Sequence, residues 1–215
     1  MLKIYGSDLS APSNKVRFAA NALGLKYEYI RINLREGEHM KPEYKQIHPS
    51  NKVPAIDDDG FRLFESNAII RYLADKVKSG LYPADLKQRA IVDQWVDFGS
   101  MHVGLALSKV VYNRVFAPIR GVPVDEGSLK EGLAFLDRFL PVVENRLGET
   151  KYLASNAVTL ADINLLALLD PAEIANVDIS KYKNIVNWRN GLKQAEFYTR
   201  CYKEYGEPLK AMAKK

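Results

Sequence analysis

Three short motifs in the first third of the chain carry residue types that could bind and activate a small polar ligand. They are YGSDLS at residues 5–10, KVPA at 52–55 and FESNA at 64–68. The first motif offers a hydroxyl directly before a predicted helix, and the third offers an acid and a hydroxyl at the start of another. Because the start of a helix carries unpaired N–H groups and the positive end of its dipole, both places favour an anion. The middle motif predicts an extended backbone edge.

The composition is that of an ordinary folded protein without disulfides. The 215 residues are enough for one large domain or two small ones, and 47% of them are hydrophobic. The only cysteine, Cys201, cannot form an internal disulfide, which suits a reducing cytoplasm. The chain has no apolar run long enough for a transmembrane helix, and its start does not resemble a signal peptide. We therefore expect a cytoplasmic protein with no membrane association.

Neither the charge nor the histidines indicate a nucleic-acid or metal site. The net charge of +5 is dispersed, apart from short terminal clusters such as Lys210 and Lys214–Lys215. His39, His48 and His102 are too scattered to predict zinc binding, and the sequence has no glycine-rich phosphate loop or CxxC motif. We expect no nucleic-acid partner and no metal.

The first unit of the chain has a β-α-β pattern. Residues 2–5 alternate in polarity as a short strand does. Apolar residues at helical spacing predict a helix from Pro12 to about Leu23, and Gly24 is a typical stop. Aromatic and β-branched residues over 26–32 predict a second strand.

A β-β-α unit is predicted to follow. The chain is polar and irregular over 33–52, with a short helical stretch after Pro42. Residues 53–64 then predict a hairpin, and Ser66 is expected to cap a helix with one apolar face. These elements together predict a small α/β domain.

Beyond Pro83 we find only helical periodicity. Thr159 and Asp162 have the spacing of a capping-type helix start. We therefore predict an α/β domain over 1–77, a linker over 78–86 and an all-helical domain over 87–215. The helices of this last domain are predicted at about 86–116, 128–147, 160–169 and 183–205.

The order of these elements and motifs resembles that of the cytosolic glutathione S-transferases, most closely their serine-using phi, theta and zeta classes. Ser10 lies fourteen residues before Gly24, and the Val-Pro pair, the Glu-Ser pair and the helix start at Thr159 follow in the family's order. The resemblance covers essentially the whole chain. It implies a thioredoxin-like N-terminal domain followed by an all-helical domain, glutathione as co-substrate, and a homodimer.

The chemistry implied by this resemblance is the activation of a thiol. A free thiol has a pKa near 8.5, whereas the thiolate is the nucleophile, so a hydroxyl donor and a helix start beside the sulfur favour the reactive form. Ser10 falls where the serine-using classes place their catalytic serine. Ser13, three residues further on, remains an alternative. Tyr5 is a weaker one, since other classes place a tyrosine at the end of the first strand.

The resemblance also implies how glutathione is bound. The family has a cis proline where this chain has Pro54, and the backbone of the preceding residue, Val53, pairs with the cysteinyl part of the ligand. Glu65 suits the γ-glutamyl ammonium, and Ser66 at a helix start suits its carboxylate.

The remaining ligand groups have less definite candidates. His39 and Lys52 are candidates for the glycine carboxylate, although His39 could equally be a plain surface residue. Residues of the first long helix could line an apolar pocket for an electrophile, although each could instead belong to the core of the helical domain: Met101, Leu105, Tyr112 and Phe116. Cys201 is predicted to be passive, because thiol-transferase relatives have their cysteine where this chain has Ser10.

Three functions are compatible with these residues. The first is conjugation of glutathione to small electrophiles, or their reduction by it, as in transferases of the EC 2.5.1.18 type that act in detoxification. The second is a zeta-like, glutathione-dependent cis-trans isomerase, although the chain lacks the Ser-Cys pair of that class. The third is a non-enzymatic assembly module similar to the N-terminal part of elongation factor 1-gamma, whose further C-terminal domain is absent here.

Overall fold

A single mixed sheet organises the N-terminal part of the molecule. The structure, a computed structural model, describes residues 1–207 and 209; Lys210, Lys214 and Lys215 lie outside this range. The order of the strands in the sheet is β2-β1-β3-β4. Strand β1 is parallel to β2 and antiparallel to β3, and β3 is antiparallel to β4. The strands are β1 (Leu2–Gly6), β2 (Tyr27–Arg31), β3 (Ala55–Asp58) and β4 (Phe61–Phe64).

Two helices pack together with this sheet and complete the thioredoxin-like domain predicted from the sequence. Helix α1 (Ala11–Ala22) joins β1 to β2, and α3 (Ser66–Lys76) follows β4 and packs against α1. Between β2 and β3 lie a 3-10 turn (Glu38–Met40) and the short α2 (Pro42–Lys45). Apolar side chains that are fully excluded from solvent form the core here: Ile4, Val16, Phe18, Ile56, Ile69, Ile70 and Leu73.

The described residues after β4 contain helices and no strand, which confirms the predicted all-helical C-terminal domain. Its first helix is continuous over 86–120 and contains two π-helical turns, at Gly99–Gly104 and Tyr112–Phe116. None of the described helices is both long and apolar enough to span a bilayer. The α-helices are α4 (Leu86–Phe98), α5 (Leu105–Val111), α6 (Ala117–Arg120), α7 (Glu126–Glu149), α8 (Leu160–Leu169), α9 (Pro171–Ile174), α10 (Lys183–Lys193) and α11 (Glu196–Thr199).

Helix α8 lies at the centre of the molecule, with all of its residues buried, and it contacts both α1 and α4. Its start is fixed by the predicted capping pair. The Asp162 carboxylate accepts hydrogen bonds from the backbone N–H and the hydroxyl of Thr159, at 2.9 and 3.0 Å. It also accepts from the Leu153 N–H and from Trp188 Nε1–H, both at 3.0 Å. One buried carboxylate thus joins α8 to α10 and to the loop before α8.

Two helix boundaries differ from the sequence-based predictions. Ser66 does not cap α3 but is its first residue; Glu65 is at the N-cap position, with φ 69°, and makes no side-chain capping bond. The helix predicted over 183–205 ends at Lys193, and Ala195 is extended. The break lets α11 lie against α1, where the Tyr198 ring packs 5.0 Å from that of Phe18. Aromatic packing with a distant helix therefore outweighs the local periodicity.

The Asp162 carboxylate should stabilise the fold more than an ordinary helix cap does. We expect Asp162→Ala to lower the free energy of unfolding by about 3–5 kcal/mol, because it leaves three buried N–H donors without partners. Asp125→Ala is the control, since Asp125 caps α7 through a single bond to the Ser128 N–H and is exposed. It should cost about 1 kcal/mol. Equal losses in urea denaturation of the two variants would contradict this account.

Candidate functional site

The three sequence motifs meet at one cavity, called the main cavity below, with a volume of about 720 Å³. One side of it is formed by the starts of α1 and α3 and by the turn before β3. The other side is formed by the long helix over 86–120, with contributions from α8, α9 and Tyr205. The motif residues that line it are Leu9, Ser10, Lys52, Val53, Pro54, Glu65, Ser66 and Asn67.

Ser10 is the N-cap residue of α1. Its backbone is extended and its hydroxyl oxygen accepts a hydrogen bond from the Ser13 N–H at 3.3 Å. A hydroxyl has one proton to donate besides its acceptor lone pairs. The capping bond uses an acceptor site only, so the hydroxyl proton of Ser10 can still be donated to a group in the main cavity.

The two alternatives to Ser10 do not line the main cavity. Ser13 is fully buried, and its hydroxyl accepts a hydrogen bond from the Ser7 N–H at 3.3 Å. Ser13 packs closely on Gly6, since a Cβ added to Gly6 would lie 2.9 Å from the Cβ of Ser13. The Tyr5 ring packs edge-on against that of Tyr44, with the centroids 6.2 Å apart.

The turn before β3 presents the Val-Pro pair to the main cavity. The Val53–Pro54 peptide bond is cis, as the family resemblance implies. The Lys52 carbonyl, one residue earlier, accepts a hydrogen bond from the Tyr44 hydroxyl at 2.7 Å. This bond ties the turn to α2 and holds Val53 at the cavity wall.

The start of α3 supplies unpaired backbone donors. The Ile69 N–H makes the first helical bond, to the Glu65 carbonyl at 2.9 Å. The N–H groups of Ser66 and Asn67 come before it and so have no partner within the helix. The Glu65 side chain lies beside them at the cavity, which puts an acid and a group of N–H donors at one place.

The histidine at the main cavity is not the one suggested by the resemblance. His39 lies on the 3-10 turn and does not line the cavity, whereas His48 does. His48 Nδ1 accepts from the Ser50 N–H at 3.3 Å, and its ring packs 4.9 Å from that of Phe64. Burial lowers the pKa of His48, although the charge of Glu65 opposes this shift. His48 is therefore a neutral cavity residue at neutral pH.

A row of buried and half-buried polar side chains connects the start of α3 to the helical domain. We call Lys15, Asn67, Ser100 and Asn164 the polar row. Lys15 Nζ donates to Asn67 Oδ1 at 2.5 Å, Asn67 Nδ2 to Ser100 Oγ at 3.1 Å, and Ser100 Oγ to Asn164 Oδ1 at 3.2 Å. Burial lowers the pKa of Lys15 to about 7. Lys15 was not predicted from the sequence, although it lies four residues from a buried alanine on each side, which is a signal of a buried position.

The four predicted pocket residues all line the main cavity. Met101, Leu105 and Tyr112 are respectively 61%, 52% and 42% exposed, which is unusual for large apolar side chains and excludes the alternative that they are core residues. Phe116 completes this apolar wall. Three of the four lie in the two π-helical turns.

The C-terminal part of the described chain closes one end of the main cavity. Tyr205 is buried, lines the cavity and donates its hydroxyl to the Leu9 carbonyl at 2.6 Å. Cys201 lies outside the cavity, in a turn after α11, where its sulfur accepts from Asn21 Nδ2. Burial raises the pKa of the Cys201 thiol to about 11, so this thiol is unreactive at neutral pH. Among the described residues, no group of side chains is arranged to hold a metal ion.

A thioredoxin-like domain, an all-helical domain and a cavity with anion-binding helix starts on one side and an apolar wall on the other define a class of glutathione-using enzymes. The model of the glutathione S-transferase N-terminal domain matches residues 2–75, and that of the C-terminal domain matches residues 108–196. The chain therefore belongs to the glutathione S-transferase family and is a glutathione transferase.

Several solved structures are similar over nearly the whole chain. Glutathione transferase F2 from Populus trichocarpa is 31% identical, with a TM-score of 0.87, over 94% of this chain and 97% of that one. A diazinon-metabolizing enzyme from the silkworm Bombyx mori is 33% identical over 99% and 98%, with a TM-score of 0.80. Glutathione S-transferase I from maize, in complex with an atrazine glutathione conjugate, is 30% identical over 93% and 95%, with a TM-score of 0.85.

The Tyr205 hydroxyl should hold the loop that carries Ser10. We expect Tyr205→Phe to cost about 1 kcal/mol of stability and to speed amide hydrogen exchange at Ser10, because the Leu9 carbonyl loses its partner. Tyr202→Phe is the control, since it removes a comparable bond, to Asp170 at 2.7 Å, away from the cavity. Exchange at Ser10 that is equally fast in both variants would contradict a specific tether.

Proposed function

We propose that this transferase activates the thiol of bound glutathione with the Ser10 hydroxyl and directs the thiolate at small apolar electrophiles. The observation that carries the proposal is the position of Ser10, at the N-cap of α1 and at the wall of the main cavity, with its hydroxyl proton free to be donated. Ser13 and Tyr5 have no such access.

The Ser10 hydroxyl and the start of α1 act on the sulfur in the same sense. A donated hydrogen bond and the positive end of a helix dipole both stabilise the thiolate more than the thiol, so both lower the thiol pKa. The Ser13 N–H bond to the Ser10 oxygen polarises the hydroxyl further. Each unit of lowering corresponds to about 1.4 kcal/mol in favour of the reactive form.

The rest of the glutathione molecule matches the groups around Ser10. The backbone of Val53 pairs with the cysteinyl residue as an added strand would, because the cis bond to Pro54 presents it at the cavity edge. Glu65 pairs with the γ-glutamyl ammonium, and the N–H groups at Ser66 with its carboxylate. Lys52 is our candidate for the glycine carboxylate, since His39 does not line the cavity in this structure.

The apolar wall receives the electrophile. The thiolate forms a carbon–sulfur bond with an electrophilic carbon, while a leaving group departs with its electron pair or, at an epoxide or activated alkene, a proton is taken up from solvent. The maize relative holds a glutathione conjugate of atrazine and the silkworm relative is described as diazinon-metabolizing. Atrazine and diazinon are small heteroaromatic molecules, and Met101, Leu105, Tyr112 and Phe116 suit such rings. A detoxifying role follows from this class of substrate.

We further propose that the enzyme is a cytoplasmic homodimer, with the domain boundaries given above, 1–77 and 87–215. A single cysteine suits a reducing compartment. Strand β4 is an edge strand of the sheet, and Phe61 on it is 50% exposed. An exposed aromatic side chain on an open edge supports an interface with a second copy.

Replacing Ser10 tests the proposed mechanism. We expect Ser10→Ala to raise the pKa of the bound glutathione thiol and to lower kcat/KM for a model aromatic halide about 100-fold, because a donor to the developing negative charge is lost. The thiolate is measured by its ultraviolet absorbance in a pH titration of the complex.

Ser13→Ala is the matched control. It removes a buried hydroxyl one helical turn away and retains the N–H that bonds to Ser10, so the thiol pKa should not change. An unchanged thiol pKa in Ser10→Ala, or an equal rise in both variants, would remove Ser10 from the mechanism.

A further inference from the structure

The polar row contains a buried cation that the mechanism above does not use. Lys15 is only 2% exposed, yet it lines the main cavity. An ammonium group has three N–H donors, and the one hydrogen bond it makes among the described residues goes to Asn67. A buried charge with so few partners is expensive, and its retention at a ligand cavity calls for a functional reason.

The charged groups that face Lys15 leave it without a counter-ion. They are Glu65 and Arg71 at and within α3, and Asp97 on α4. Asp97 is already paired with Arg71, at 3.0 Å. Glu65 makes no ion pair with any described residue, and in the proposed complex it is neutralised by the γ-glutamyl ammonium. A negative group, Glu65, and a positive group, Lys15 of α1, therefore line the main cavity near the start of α3, where Lys15 is bonded to Asn67.

We propose that Lys15 completes the recognition of the γ-glutamyl end of glutathione, with its protonation coupled to the binding of the ligand carboxylate at the start of α3. The inference rests on the proposed function of this site. The zwitterionic amino-acid group of the ligand then lies across Glu65 and Lys15, with Asn67 fixing the ammonium of Lys15 in place. Lys15 is thus a positioning residue for the co-substrate.

The electrostatics of the free protein support this coupling. Burial is the main cause that lowers the pKa of Lys15 to about 7, and the charge of Arg71 acts in the same direction. At slightly alkaline pH the side chain is therefore largely neutral before ligand binds. A carboxylate placed beside it favours the charged form, so the pKa rises in the complex and a proton is taken up.

The lowered pKa of Lys15 supports the coupling of proton uptake to ligand binding, but it also affects the stability of the free protein. The pKa of Lys15 is lower in the folded protein than its ordinary value of 10.5, so the free protein binds fewer protons than the unfolded chain above about pH 7. Its stability therefore rises with pH between these values, and the charged ammonium is destabilising at and below pH 7.

Calorimetric titration with S-methylglutathione tests the inference. This ligand has no ionisable thiol, so any proton exchanged comes from the protein or from the ligand's other groups. Titrations at pH 6.5 to 8.5, each in two buffers of different ionisation enthalpy, count the protons. We expect the wild-type protein to take up protons near pH 8, and its Kd to rise above pH 7 by up to about tenfold per pH unit.

Two variants separate Lys15 from the other lysine at the main cavity. Lys15→Met should bind about tenfold more weakly at pH 6.5, with no proton uptake and a Kd nearly independent of pH. Its unfolding temperature at pH 6.5 should nevertheless be higher than that of the wild type, because a buried charge has been removed. Lys52→Met should weaken binding but keep the proton uptake and the pH dependence.

The outcomes distinguish this inference from the proposed function. Binding of S-methylglutathione without proton uptake in the wild-type protein overturns the role of Lys15 and leaves the transferase site intact. Uptake that persists in Lys15→Met also overturns it. Proton uptake that is lost in Lys15→Met supports it, even if Ser10→Ala proves fully active and the role of Ser10 fails. Absence of any binding overturns both.

Discussion

The positive ends of α1 and α3, at the starts of these two helices, determine what the main cavity can hold. Both helices begin directly after a strand or its connecting loop, so their positive ends are carried to the same edge of the sheet. The ligand groups favoured there are anions, which in the proposed complex are a thiolate at Ser10 and a carboxylate at Ser66. The opposite wall is apolar and can therefore only receive the uncharged reactant. The division of the cavity into two halves follows from where two helices start.

These helix starts are held in place by buried polar groups rather than by the sheet alone. Asp162 anchors α8, against which α1 packs, and the polar row connects α3 to the same helix through Asn164. Gly99 permits this approach, since a Cβ there would lie 2.7 Å from Asn164 Nδ2. The proposed thiol site in one domain is thus connected through the polar row to the interior of the other domain.

Features encoded by neighbouring residues could be predicted from the sequence. The strands and the start of α8 depend on motifs of a few residues, whereas the cavity positions of Ser10, Val53, Pro54, Glu65 and Ser66 were implied by the family resemblance. A helix start or a turn before a strand is recognisable from its own sequence.

Residues whose role depends on distant partners could not be found in this way. Lys15 meets Asn67 at a separation of 52 positions, and Tyr205 meets Leu9 at a separation of 196. His48 lines the main cavity together with Lys52 and Pro54, which its local sequence does not indicate. The break before α11 likewise reflects aromatic packing on Phe18, which no periodicity within that segment encodes.

The two π-helical turns in the long helix allow the apolar wall to gain or lose residues during evolution. A π-helical turn accommodates an additional residue within a helix while the flanking α-helical turns are preserved. Met101, Tyr112 and Phe116 lie in these turns, so gaining or losing one residue here redirects the side chains that face the electrophile. The other half of the main cavity, which is proposed to bind glutathione, is formed from other elements and does not change. Under the proposed function, the range of electrophiles accepted at the apolar wall would then change by insertion and deletion as well as by substitution.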